Sequence, residues 1–273
     1  MKHARSIKEL TRGIVMECCI PSQQSTKTPL LFVHGNFCGS WCWRNLLIYF
    51  AQRGVSCYAV NFRGHWLSAG HAALGTAITE HYVEDVEQCL AAIGTGVILF
   101  GHSMGGIVSQ KVAENNPVKS LILVDSAPCR EITENCFQPK PEVGDILKDL
   151  FKPLSDGTVV MERNRDMIKK ILFETGNVSE ETLAQATAYL GRESAHVLKN
   201  HAFISVDPQK VTCPVYVIGR TGYGNQKNPD LWHALADYYH AADRYISGDI
   251  GHCMYMEKNW QHHAARFEKW CFE

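Results

Sequence analysis

A serine stands at the centre of Gly101-His102-Ser103-Met104-Gly105, and a group able to move protons, His252, follows Gly248-Asp249-Ile250-Gly251 much further along the chain. A serine hydroxyl is a weak nucleophile until a base removes its proton, so the two together have the composition for attack on a carbonyl carbon. The pentapeptide alone is weak evidence, because 273 residues with 21 glycines would produce such a pattern by chance roughly one time in ten. Its flanks give it meaning. Val97-Ile98-Leu99-Phe100 is the short continuous apolar run of a strand buried on both faces, and Ile107 to Ala113 continues at helical spacing. A serine on the tight turn between strand and helix is forced into an unfavourable backbone conformation. Gly101 and Gly105 then stand where a side chain would meet neighbouring backbone.

Acyl transfer also needs donors for the oxyanion. The backbone N–H after the nucleophile, that of Met104, is one candidate. The second is the N–H of Asn36, since Val33-His34-Gly35-Asn36-Phe37 ends another strand in a glycine turn; its side-chain amide is either a further polar contact or a plain turn former. His102 adjoins the serine but is expected to point away from it, and His34 to brace the turn after its own strand.

These groups need a scaffold. Strand-like runs at Ile14 to Ile20, Leu30 to His34, Ser56 to Val60, Val97 to Phe100, Leu121 to Asp125, Val215 to Gly219 and Arg244 to Ser247 alternate with helical patterns. The helical stretches are Trp41 to Gln52, Ile78 to Ile93, Met104 to Asn115, Asp230 to Tyr239 and Trp260 to Phe272. That alternation predicts an α/β fold, a mostly parallel central sheet with helices on both faces. From Ala127 to about Asp207 the rhythm breaks, and Val143 to Lys152, Asn164 to Glu174 and Glu180 to His201 read as amphipathic helices. Residues 1–126 and 208–273 are therefore expected to form the core, and residues 127–207 a helical cap inserted at the carboxyl end of a strand, where open α/β sheets bind ligands. Ser22 to Thr28 is expected as a hairpin turn or loose loop.

Composition narrows the function. Lys and Arg number 27 against 28 Asp and Glu, with no block of like charge, which argues against nucleic acid or anionic lipid as partners. The eleven cysteines are odd in number and several fall inside expected strands or helices, which fits free thiols in a reducing, cytoplasmic setting. No segment has the length and hydropathy of a secretion signal or membrane span. Neither Cys18-Cys19 nor His262-His263 has the spacing of a zinc site, and no metal or other cofactor is expected. Oligomeric state is not legible.

His34-Gly35-Asn36, the turn Gly101 to Gly105 and Gly251-His252, in that order, resemble the α/β-hydrolase superfamily over nearly the whole chain. The run HGNFCGSWCW from His34 to Trp43 is similar to the plant methylesterase and hydroxynitrile lyase branch and to many bacterial esterases. Asn61-Phe62-Arg63-Gly64-His65 resembles the loop after the next strand, with Trp66 where relatives commonly have glycine; Trp66 would line the pocket or pack under the cap. The resemblance implies an aspartate shortly after Gly219, but Arg220-Thr221-Gly222-Tyr223-Gly224-Asn225 contains no carboxylate. Some relatives carry the acid at the end of the preceding core strand, which is Asp125 here. Asp230 and a triad without an acid remain open, and Asp249 is badly placed to turn back on His252. The resulting expectation is a serine hydrolase acting on an ester, lactone or thioester of a small lipophilic substrate. Phe137, Leu147, Phe151, Ile171, Leu172 and Tyr189, with Phe37 and Trp66, would build its acyl pocket. A lyase or acyltransferase on the same fold, or a ligand-binding receptor with weak turnover, are the alternatives.

Overall fold

The computed structural model describes residues 2–23, 25–94, 96–136, 148–221 and 230–273. Strands β1 (His3–Glu9), β2 (Val15–Pro21), β3 (Leu30–Val33), β4 (Cys57–Asn61), β5 (Ile98–His102), β6 (Ser120–Val124), β10 (Val215–Arg220) and β11 (Asp243–Ser247) form one sheet in the order β1-β2-β4-β3-β5-β6-β10-β11. From β4 to β11 every pairing is parallel; β1 and β2 run antiparallel at one edge. Strand order reverses around β3, which lies between β4 and β5, so crossovers leave on opposite faces and a crevice opens beyond the strands' carboxyl ends.

Both faces are covered, which is why the central strands read as continuous apolar runs rather than alternating ones. On one face Phe32, Phe100, Ile122 and Ile218 meet α1 (Arg44–Ala51) and α9 (Trp260–Phe272) through Leu47, Phe50, Phe267 and Trp270. On the other, Leu31, Leu99, Leu123 and Val217 meet α2 (Thr79–Ile93), α3 (Met104–Asn115) and α8 (Leu231–Tyr238) through Val86, Ile107, Val108 and Leu235. Successive strand residues such as Leu31 and Phe32 divide between the two layers, as the two-residue strand period requires.

Three features differ, in whole or in part, from what the sequence led us to expect. Strand β1 was not anticipated: its side chains are mostly exposed, Ile7 included, so no apolar alternation marks it, and it exists because β2 offers a free antiparallel edge. Of the two readings of Ser22 to Thr28, the hairpin turn is excluded, because the strands on either side, β2 and β3, are separated in the sheet by β4, whereas the loose loop agrees with the segment's described residues, which belong to no helix or strand.

The segment between β6 and β10 is not purely helical. Its described part contains α4 (Arg130–Cys136), α5 (Arg165–Leu172), α6 (Glu180–Tyr189) and α7 (Ala195–Asn200), and also a second antiparallel sheet of β7 (Phe151–Pro153), β8 (Thr158–Met161) and β9 (Arg192–Ser194). The stretch expected as one helix from Glu180 to His201 is broken at Leu190-Gly191, where the Gly191 N–H donates to Phe37 O at 2.7 Å, and β9 follows. Asn164 and Ser179 cap α5 and α6 by accepting backbone N–H bonds. Of the remaining expected helix, residues 143–147 lie outside the described residues, as do Phe137 and Leu147 of the expected pocket.

Candidate active site

Strand β5 ends at His102 and α3 begins at Met104, leaving Ser103 as the single hinge residue with φ 53° and ψ −126°. A non-glycine residue held at positive φ stores on the order of 1–3 kcal/mol, tolerated only where surrounding contacts fix it. Here Ser103 N–H donates to Val124 O at 3.2 Å, and Ser103 C=O accepts from Gly106 at 2.8 Å and Ala127 at 2.9 Å. The packing leaves no room for side chains around it. A Cβ on Gly101 would lie 2.6 Å from Ser109 Oγ and 2.7 Å from Gly105 O, and one on Gly105 would run into the His34 carbonyl.

His252 follows β11 through the loop anticipated from its glycines. Its Nδ1 hydrogen-bonds Asp125 Oδ2, so the structure brings His252 to Asp125 and not to the other carboxylates considered. Asp230 lies instead 3.8 Å from His233, and Asp249 accepts a bond from Ser247. Asp125 is buried immediately after β6, itself at positive φ of 43°, with its N–H donating to Ile218 O at 2.7 Å.

Two neighbours were missed from sequence. Arg220, the last residue of β10, donates to Asp125 Oδ1 from its backbone N–H at 3.2 Å and from Nε at 3.1 Å, and its Nη2 lies 2.8 Å from Oδ2. Glu174, just beyond α5, pairs with the other end of the same guanidinium. Burial works against an ionised Asp125, but the Arg220 cation and the His252 hydrogen bond outweigh it and hold the carboxyl at about 2. His102, already named beside the serine, is a further neighbour. Its ring is turned from the serine, as expected, and braces the base loop: Nε2 donates to His252 O at 2.9 Å while Nδ1 accepts from Tyr255 O–H at 3.0 Å. Burial, helped by nearby His252, keeps this ring well below the usual histidine range and hence neutral, as one donor and one acceptor require.

His34 also has the expected bracing role. Its Nδ1 donates to Gly35 O at 2.8 Å and its Nε2 accepts Phe62 N–H at 3.3 Å, with burial lowering the ring to about 3. This anchors the turn that carries Asn36 beside Ser103, where a Cβ on Gly35 would come within 2.9 Å of Ser103 Cβ. Met104 is the first residue of α3, and an N–H in a helix's first turn has no intrahelical acceptor.

Gly35, Asn36, Ser103, Asp125, Arg220 and His252 all line one cavity of about 690 Å³, within the size range of small-molecule sites. Phe37, Leu231 and Trp232 from the core, and Phe151, Met161, Ile171, Leu172 and Leu198 from the insertion, make its apolar wall. Trp66 does not belong to it. Held at positive φ of 47° and 37% exposed, its ring packs 4.9 Å from Tyr189 of the insertion, the second of the two roles expected of it; Tyr189, which also meets the Trp41 ring at 5.7 Å, is likewise absent from the cavity lining. Among the described residues no cluster of His, Cys, Asp or Glu has the arrangement of a metal site, and no helix is long and apolar enough to cross a membrane.

The family model for the alpha/beta hydrolase family matches residues 30–261. A pyrethroid hydrolase of Sphingobium wenxiniae is 30% identical over 141 residues, 48% of this chain and 49% of that protein. The chain spans about half the length of the curated relatives it matches. Among solved structures, a polyneuridine aldehyde esterase superposes with a TM-score of 0.70 at 15% identity, covering 89% of this chain and 99% of the other. A methylesterase from Arabidopsis does so with a TM-score of 0.66 at 17% identity, covering 89% and 98%. With the sheet order, the strained serine turn and a family match running from β3 into α9, the chain belongs to the alpha/beta hydrolase family.

Proposed function

We infer that this protein is a serine hydrolase that cleaves an ester bond of a small lipophilic substrate through an acyl-enzyme. The observation that carries the reading is one cavity lined by both Ser103 on its strained turn and His252, whose Nδ1 is bound to a buried carboxylate. Asp125 fixes the tautomer with hydrogen on Nδ1, leaving Nε2 as the base. Ser103 Oγ attacks the carbonyl carbon as its proton passes to His252, and the oxyanion is held by the Asn36 and Met104 amides. His252 then protonates the departing alcohol. Water, deprotonated by the same ring, attacks the acyl-enzyme and releases the carboxylic acid, restoring Ser103. Esters, including lactones, and thioesters are favoured because their leaving groups need less protonation than an amide nitrogen.

Residues 127–207 act in this reading as a cap, since apolar side chains of their described part, Phe151, Met161, Ile171, Leu172 and Leu198, line the cavity. A reducing, cytoplasmic setting belongs to the same proposal and rests on eleven free cysteines, nine of them buried.

The test is hydrolysis of p-nitrophenyl esters together with labelling by an organophosphonate, which requires an activated serine. Wild type is expected to turn over and to take label on Ser103; Ser103→Ala and His252→Ala are each expected to lose roughly 10⁴-fold or more in kcat. Turnover that survives Ser103→Ala, or a wild type that binds ligand yet neither hydrolyses nor labels, overturns the reading.

A further inference from the structure

We propose that Arg220 is a positioning residue, which through Asp125 sets the orientation of His252, with Glu174 balancing its charge; the proposal rests on the serine-hydrolase reading above. Three donors of Arg220, its backbone N–H, Nε and Nη2, converge on the two oxygens of one buried carboxylate at 3.2, 3.1 and 2.8 Å. A carboxylate gripped on both oxygens cannot rotate about its Cβ–Cγ bond. Oδ2, the oxygen bound to His252 Nδ1, is thereby fixed in space. Arg220 is buried, and its guanidinium lies 5.3 Å over the Trp232 ring, so it is held on its flat side as well.

The arrangement also has a charge logic. Arg220 Nη2 lies 3.4 Å from His252 Nδ1, a distance at which a fixed cation opposes the imidazolium that forms as the serine loses its proton. Asp125, placed between them, is an anion that answers both. Glu174 supplies the second negative charge, so a charged His252 is balanced: two cations, His252 and Arg220, against two anions, Asp125 and Glu174. His102 also faces His252, with ring centroids 4.5 Å apart, and is neutral, adding no charge to that count. The benefit of Arg220 therefore depends on Asp125 being ionised. Without that charge, the same guanidinium hinders the base.

This dependence gives a sign that a merely structural arginine would not produce. The experiment compares kcat and KM for a p-nitrophenyl ester, and the rate of phosphonate labelling, in wild type, Arg220→Met, Arg220→Lys, Asp125→Asn and the double variant Arg220→Met/Asp125→Asn. In the wild-type background Arg220→Met is expected to lower kcat roughly 10–100-fold, the cost of a small misplacement of reacting groups, with KM changed only a few-fold. Arg220→Lys, which keeps the charge but loses the fork, is expected to recover part of that loss. In the Asp125→Asn background the same Met substitution is expected to raise kcat. Should Arg220→Met not fold, the comparison of Asp125→Asn with the double variant decides alone, a faster double variant supporting the role and an equal or slower one overturning it. A wild type without turnover or label brings down the hydrolase reading and this role with it. An active wild type with equal losses in both backgrounds brings down the Arg220 role only.

Discussion

At the scale of single residues, Asp125 joins the chemistry to the stability of the fold. Its carboxyl is held at about 2, against roughly 3.9 in an unfolded chain, because Arg220 and His252 outweigh the opposing effect of burial. The folded value is the lower one, so the stabilisation is present in full above pH ~4 and is lost as pH falls through about 2; it amounts to ~2 kcal/mol. Asp125→Asn is therefore expected to cost more stability at pH 7 than at pH 3, measured as urea midpoints at both values. An equal cost at the two would mean that this carboxyl is not ionised in the folded protein. Ser103 and His252 were legible because each carries its own local signal, a glycine-bracketed turn after an apolar run and a glycine-flanked loop. Asp125 became a candidate only through resemblance. Arg220 was seen only as the absence of a carboxylate, because its partner is 95 residues away; the usable signal was a basic residue closing the apolar strand Val215 to Gly219, where a buried cation must find an anion.

Among the elements, the joint between insertion and core is a buried polar cluster. Glu193 on β9 pairs with His65, in the loop after β4, at 3.2 Å, and accepts from Tyr82 O–H on α2 at 2.6 Å and from Ser194 N–H at 2.8 Å. Burial resists charge on both ionisable partners. For His65 the carboxylate of Glu193 and the carbonyl of Arg63 prevail and raise the ring above its ordinary value; for Glu193 the His65 cation and the Tyr82 and Ser194 donors prevail and lower it. A raised histidine stabilises below its unfolded pKa and loses that contribution as pH rises through the folded one. A depressed carboxylate stabilises above its unfolded pKa and loses it as pH falls. The joint is thus complete between about pH 4.3 and 6.5, the ordinary values of the two groups. Limited proteolysis of the insertion is expected to be slowest within that window and faster on either side of it. Glu193→Leu, which strands His65 and Tyr82 without their partner, is expected to lower unfolding free energy by about 3 kcal/mol, read from a denaturant curve; no change would mean that the cluster carries no net stabilisation. Nothing in the sequence announced this joint. Strands β7 to β9 are only three or four residues long, and the buried Glu193 sits in a stretch that reads as the continuation of a helix.

Over the whole molecule, the parallel sheet brings the ends of β3, β5, β6 and β10 and the loop after β11 to one rim, and this was legible because a strand buried on both faces leaves a continuous apolar run. What faces that rim was not legible. The insertion's apolar residues must fill its own interior as well as the cavity wall, and amphipathic spacing does not separate the two; Tyr189, expected in the pocket, packs instead against Trp66 and Trp41 of the core. Leu172 and Met161 belong to the same apolar layer as Phe32 and Trp43, so the insertion is continuous with the core at its base and meets the cavity above it. Chain-length selectivity should accordingly belong to the insertion and the bond-breaking groups to the sheet. Ile171, partly buried and on the cavity wall, separates these contributions. Ile171→Trp is expected to lower kcat/KM for p-nitrophenyl octanoate by tenfold or more while acetate stays within a few-fold, since each methylene accommodated in an apolar pocket is worth ~1–3 kcal/mol. The two esters share a leaving group and a chemical step. A parallel loss on both would show that the tryptophan disturbs the rim itself, whereas a loss confined to the longer chain assigns acyl selection to α5.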